Sequence, residues 1–153
     1  MIKKILITGG SGLCGSVLSE GLSKLNYKIK LCDIKTSPSP AAKAQNIKIS
    51  SKIKKVDLRK MNEVLKITKN IDAVLHFGGI PRHKPQEDKY KDIIDHNIIG
   101  TYNVFESCRI NKVKKIIFAS SAHIVGYHNR KKIINHLDLL RPDSHYAVSK
   151  CFG

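Results

Sequence analysis

The stretch from Ile5 to Gly15 leaves few folds open to this chain. Ile5-Leu6-Ile7 is a short apolar run of the kind that forms a strand buried on both faces. It ends in Thr8-Gly9-Gly10-Ser11-Gly12, and an apolar pattern at helical spacing follows (Leu13, Val17, Leu18, Leu22, Leu25). Strand, glycine turn and helix in that order open a dinucleotide-binding βαβ unit. In such a unit Gly9 allows a turn that a Cβ would resist. Gly12 lets the backbone, with Ser11 and Leu13 beside it, approach a pyrophosphate, and Gly15 lets the helix pack close to the sheet. The free amides and positive end of the helix then face the phosphates. The same glycine spacing also occurs in turns that hold no ligand.

Asp33 closes the next apolar run, about twenty residues beyond the loop, where an acid hydrogen-bonds the adenosine ribose. A carboxylate there repels a 2′-phosphate, which favours NAD over NADP. The run Ile53–Val56 reads as a third strand ending in Asp57-Leu58. That pair either flanks an adenine ring or contains an ordinary helix cap. Residues 60 to 69 read as a helix, and 41 to 51 as a segment with a short helix of uncertain position. Ala73–Phe77 reads as a fourth strand, with Phe77-Gly78-Gly79 at its exit. A polar loop with Pro81 and Pro85 follows, from Ile80 to Lys91, and reads as an active-site loop. A long helix then carries Asn97 on its apolar side, as a structural bridge or a site residue. Lys115–Ala119 reads as a fifth strand ending in Ser120-Ser121-Ala122-His123, and a polar loop runs from Gly126 to Asp143.

Alternating strands and helices with short turns predict a parallel, doubly wound α/β sheet of Rossmann type. Ligands of such sheets bind beyond the carboxyl ends of the strands. Gly9 to Gly15, Asp33, Asp57, Gly78-Gly79 and Ser121 all fall there. Asp143 or Ser144 caps a last helix, on which Tyr146 and Lys150 are one turn apart and share a face. A Lys ammonium beside a phenol favours the phenolate, which makes such a Tyr a general base, and Ser121 is placed to bond the same substrate oxygen.

Length and composition limit the rest. At 153 residues one domain is expected. No apolar run is long enough to span a bilayer, and the amino terminus enters a core strand too soon for a secretory signal. Cys14, Cys32, Cys108 and Cys151 have no metal-binding spacing, so no metal and a reducing cytoplasmic setting are expected. The net charge of +16 offers either a polyanion surface or the lysine bias of an AT-rich genome. The lysines are dispersed and only 6% of residues are aromatic, so nucleic-acid binding is not favoured.

Taken together, Thr8-Gly9-x-x-Gly12-x-x-Gly15, Asp33, Asp57-Leu58, Asn97-Ile-Ile-Gly100-Thr101-x-Asn103, Ser120-Ser121 and Tyr146-x-x-x-Lys150 resemble the extended short-chain dehydrogenase/reductases, relatives of nucleotide-sugar epimerases and dehydratases. A narrower likeness, to the uronate dehydrogenases, rests on three segments. They are His76-x-Gly78-Gly79-Ile80, Ala119-Ser120-Ser121-x-His123-x-x-Gly126, and Arg141-Pro142-Asp143 leading through Tyr146 to Lys150-Cys151-Phe152-Gly153. It implies NAD-dependent oxidation of the C1 hydroxyl of a hexuronate or related sugar to a lactone. Tyr146 would take the proton, Lys150 would tune it and hold the nicotinamide ribose, and Ser121 and His123 would help hold the sugar. Pro81 and Ala122 stand where those relatives usually carry Ser and Asn, so the sugar shell has two fewer polar groups. A nucleotide-sugar epimerase or dehydratase, and a non-catalytic NAD binder, remain alternatives. The relatives continue into a carboxy-terminal substrate lobe and pair through their central helices. The resemblance therefore implies that residues 1–153 are an incomplete Rossmann domain with little turnover alone, and that the full-length protein is a homo-oligomer.

Overall fold

The computed structural model describes residues 1–49, 51–81, 90–128 and 133–153. Residues 82–89 of the expected active-site loop, and 129–132 of the loop before the last helix, lie outside that description. The elements run β1 (Lys4–Thr8), α1 (Leu13–Lys24), β2 (Lys28–Asp33), α2 (Pro40–Ala44), β3 (Ile53–Lys55), α3 (Met61–Thr68), β4 (Ala73–His76) and α4 (Tyr90–Ile93). Helix α4 continues through π-helical turns at Ile94–Ile99 into α5 (Gly100–Ile110). Then come β5 (Lys115–Phe118), a 3-10 turn (Ala122–Val125) and α6 (His145–Cys151).

The five strands are parallel and lie in the order β3-β2-β1-β4-β5. From β1 the chain winds outward to β3, then returns to β4 on the other side. The reversal leaves a crevice at the carboxyl ends of β1 and β4, the usual ligand position in open α/β sheets. The register brings those ends level: Thr8 pairs with Cys32 and His76, and His76 with Phe118.

Alternation along β1 feeds two cores, which is why its apolar run is continuous. Ile5 and Ile7 join Leu31, Ile53 and Ala73 beneath Leu18 and Leu22 of α1. Leu6 faces the opposite way, with Cys32, Val56 and Val74 against Val64 and Ile67 of α3 and Val104 and Cys108 of α5. Leu6 and Ile7 have no exposed surface, and each such side chain contributes about 1.5–3 kcal/mol of transfer free energy.

One local expectation changes. Val17 belongs to the apolar pattern that marks α1 as a helix, yet Val17 is exposed and Gly15, Ser16 and Ser19 are buried. The helix lies so close to the glycine turn that a Cβ on Gly15 would overlap the Gly9 carbonyl and lie 3.0 Å from Gly10 Cα. Small residues therefore form the contact face. The Ser16 hydroxyl turns back onto the Gly12 carbonyl at 2.7 Å.

Candidate active site

A cleft of about 790 Å³ opens at the topological reversal. Its floor is the turn between β1 and α1. Gly9 has φ +72°, and a Cβ there would lie 2.7 Å from the Phe77 carbonyl carbon, so this position demands glycine. Helix α1 begins at Gly12, which supplies no side-chain cap, and its first turn contains no acid. The amides of Leu13, Cys14 and Gly15 are thus left for a ligand at the positive end of a long helix. These features fit a pyrophosphate, and with it a dinucleotide.

One end of the cleft is built around Asp33. Its Oδ2 accepts from the amide and hydroxyl of Ser11 at 3.1 and 2.8 Å, and its Oδ1 from the amide of Lys35 at 3.1 Å. The carboxylate is therefore fixed at the end of β2, facing the cleft that it lines. Asp57 and Leu58 also line it. Asp57 does not cap α3, whose N-cap is Lys60. Its carboxylate grips Arg59, with a shortest contact of 2.7 Å, and the Arg59 guanidinium pulls its pKa down to about 2.

Opposite lies the exit of β4, where Phe77, Gly78, Gly79 and Pro81 line the cleft. Two buried polar arrangements hold this exit. The Gly78 amide donates to Thr8 Oγ1 at 3.0 Å, and that hydroxyl lies 2.6 Å from His76 Nδ1. The other ring nitrogen, Nε2, lies 3.0 Å from Thr101 Oγ1, so both nitrogens of the imidazole have a hydroxyl partner. Burial, with the Lys150 charge behind it, pushes the His76 pKa down to about 3, so the ring is neutral. The second arrangement is Asn97. It does not line the cleft, and only 2% of its surface is exposed. Its Oδ1 accepts from the Ile80 amide at 2.7 Å, while Nδ2 donates to the Ile80 carbonyl and to Ser149 Oγ, both at 3.0 Å. Of its two sequence readings, the bridge is the one seen. The Asn97 amide thereby ties Ile80, beyond the end of β4, to Ser149 of α6.

At the far end, Ser144 caps α6 by accepting from the Ala147 amide at 3.2 Å. Tyr146 and Lys150 both reach the cleft from this helix. Lys150 is buried, and its Nζ donates to the Ala119 carbonyl at 2.9 Å. It stands 5.8 Å from the centre of the Tyr146 ring, and burial lowers its pKa. Ser121 caps the 3-10 turn by accepting from the His123 amide at 3.3 Å. Ser121, Ala122 and His123 sit beside the cleft without lining it, whereas Ala119 and Ser120 do line it. The His123 ring meets the Tyr146 ring edge-on, with centroids 6.1 Å apart. Ile34 and Ile80, each one residue beyond a position named above, line the cleft too, and on β5 it is Ser120, one residue before Ser121, that does so. His96 lines the cleft from the π-helical stretch, which carries no local sequence signal.

The NAD dependent epimerase/dehydratase family model matches residues 5–153. The chain belongs to this family. A uronate dehydrogenase of Pseudomonas syringae pv. tomato is 33% identical over 150 residues, covering 98% of this chain and 51% of that protein. The glucuronic acid dehydrogenase structure from Chromohalobacter salexigens superposes with a TM-score of 0.84 at 34% identity, over 100% of this chain and 53% of that one. A mutant uronate dehydrogenase from Agrobacterium tumefaciens complexed with NAD gives a TM-score of 0.82 at 32% identity, over 99% and 53%. The chain thus spans about half the length of the curated relatives it matches. Among the described residues of this family member, no helix is long and apolar enough to cross a membrane, and no group of three or more His, Cys, Asp or Glu could hold a metal ion.

Proposed function

We propose that residues 1–153 form the NAD-binding, proton-transferring unit of a dehydrogenase that oxidises the C1 hydroxyl of a hexuronate or related sugar to a lactone. The observation that carries this reading is the arrival of Tyr146 and the buried Lys150 in the cleft whose floor is the glycine turn. The pyrophosphate would rest on the amides of Leu13 to Gly15, and the adenosine ribose on Asp33. When bound, NAD supplies the hydride acceptor. Tyr146 takes the C1 hydroxyl proton, Lys150 provides the cation beside that phenol, and Ser121 bonds the same oxygen. His123 is the nearest candidate for holding the rest of the sugar. Pro81, which lines the cleft, and Ala122, beside it, make this sugar shell apolar on those sides. The uronate assignment takes its support from the relatives named above.

The reading extends to the protein's setting. Four free cysteines suit a reducing cytoplasm. Exposed Ile94, Ile99 and Tyr102 on the central helix offer an apolar face for pairing of two copies. The protein expressed from its full open reading frame should transfer deuterium from C1-deuterated galacturonate or glucuronate to NAD and release the labelled NADH. Conversion of a nucleotide-sugar to its epimer, with no net reduced cofactor and no transfer from the uronates, would replace this reading with an epimerase. Absence of any transfer, despite saturable NAD binding, would leave a non-catalytic binder.

A further inference from the structure

Two sequence motifs meet in space beside the cleft. They are the His-x-x-Gly that follows β5 and the Arg-Pro-Asp that precedes α6. Their backbones are joined by two hydrogen bonds, from the Arg141 amide to the Ile124 carbonyl at 2.8 Å and from the Tyr127 amide to the Arg141 carbonyl at 3.0 Å. Across this seam Asp143 Oδ2 lies 2.7 Å from His123 Nδ1. Its other oxygen accepts from the Ser144 hydroxyl at 2.9 Å. Gly126 completes the group. A Cβ at this position would fall on the Asp143 carboxyl and lie 2.6 Å from Asp143 Cβ, so a side chain at 126 and the carboxylate at 143 cannot both keep their places.

The chemistry of the pair is directional. An ionised carboxylate only accepts, so the nitrogen facing it must carry the hydrogen. The hydrogen bond at one ring nitrogen sets the protonation of the other. With Nδ1–H committed to Asp143, Nε2 of neutral His123 is an acceptor, and the ring is held edge-on to Tyr146.

We propose that Asp143 is a positioning residue for the Tyr146 site. It fixes the His123 tautomer and the angle of that ring against Tyr146, and residue 126 is glycine because the Asp143 carboxyl fills its side-chain space. The inference rests on reading the cleft as a sugar-oxidising site, in which His123 meets the sugar.

Asp143→Ala, Asp143→Asn, Gly126→Ala and the Gly126→Ala/Asp143→Ala pair test it in the protein from the full open reading frame. Imidazole 15N spectra, assigned with His123→Gln, should show Nδ1–H in the wild type. That tautomer should be lost in Asp143→Ala and Gly126→Ala, and partly kept in Asp143→Asn, whose amide oxygen still accepts. The KM for galacturonate should rise between about tenfold and a hundredfold in both Ala variants, with a smaller change in kcat and an unaltered NAD affinity. The paired variant should be no worse than either single one, because both remove the same contact. An unchanged His123 tautomer in Asp143→Ala overturns the proposal, as do losses in the two single variants that multiply in the pair. Wild-type protein that oxidises no sugar would refute the dehydrogenase reading instead, and the tautomer and the unfolding free energies of the same variants would still decide whether these residues are coupled.

Discussion

Replacing Asn97 by Leu should loosen the junction between β4 and α6 by an amount that its contacts set. The side chain is almost completely buried and makes three hydrogen bonds, two to the Ile80 main chain and one to Ser149. Leucine has similar bulk and none of these groups. The Ser149 hydroxyl keeps its bond to the Tyr146 carbonyl at 2.7 Å, so two groups are orphaned, the Ile80 amide and carbonyl. Each orphaned buried group costs about 1–3 kcal/mol, and the partial exposure of Ile80 lets water offset some of it. The sum is about 3 kcal/mol, roughly a hundredfold in the folded-to-unfolded ratio, or a fall of roughly 6–12 °C in Tm for a domain of this size. Urea unfolding followed by circular dichroism measures the loss directly. Gly79→Ala supplies an independent check, because its Cβ would lie 2.8 Å from Asn97 Oδ1 and push the same amide away. The double variant should therefore lose less than the sum of the two. An Asn97→Leu variant within about 0.5 kcal/mol of the wild type would refute the reasoning, since that is the size of an ordinary surface change.

His76 makes stability depend on pH. Its folded-state pKa of about 3 lies below the ordinary 6.5, so the unfolded chain takes up the proton first and stability falls as pH drops through that window. His76→Gln lacks this contribution, so the stability difference between wild type and variant, measured by urea unfolding at several pH values, should itself slope by about 1.4 kcal/mol per pH unit across that window. Asp33→Ser should raise NADP affinity relative to NAD by at least about tenfold in paired titrations, because a fixed carboxylate no longer faces the 2′-phosphate. Lys112 has φ +54°, where the turns at residues 26, 46 and 70 use asparagine. Lys112→Gly should accordingly raise the urea midpoint by the equivalent of about 0.5–1 kcal/mol.

Much of this architecture was legible because its signals are local. The Ile5–Gly15 stretch encodes a strand, a turn and a helix start within a few residues, and Asp33 follows at a fixed distance. The order of apolar runs then gives the sheet. The errors have physical causes as well. The apolar periodicity of α1 includes Val17, which is exposed, whereas close helix–sheet contact at Gly15 selects small residues for the buried face. Asn97 turns inward from a π-helical stretch to meet Ile80 and Ser149, which are distant in sequence, and nothing in its own sequence announces that stretch. Spacing alone leaves Asp57 open as a cap or an adenine neighbour, whereas in the fold Arg59 claims its carboxylate. In the sequence Asp143 offers only a possible cap, because its partner His123 becomes adjacent only once the two motifs fold together. Ser144 next to it does the capping.

The central claim is that Tyr146, beside Lys150, moves a proton from a sugar hydroxyl in an NAD-holding cleft. NADH formation at 340 nm, a wavelength set by the assay, tests it most directly. The full open reading frame would be assayed with galacturonate, glucuronate, neutral sugars and nucleotide-sugars, and with Tyr146→Phe as the blank. The account predicts uronate-dependent NADH formation that disappears in Tyr146→Phe while NAD binding persists. Equal NADH formation with and without the Tyr146 hydroxyl, or none with any sugar in a protein that binds NAD, would contradict it.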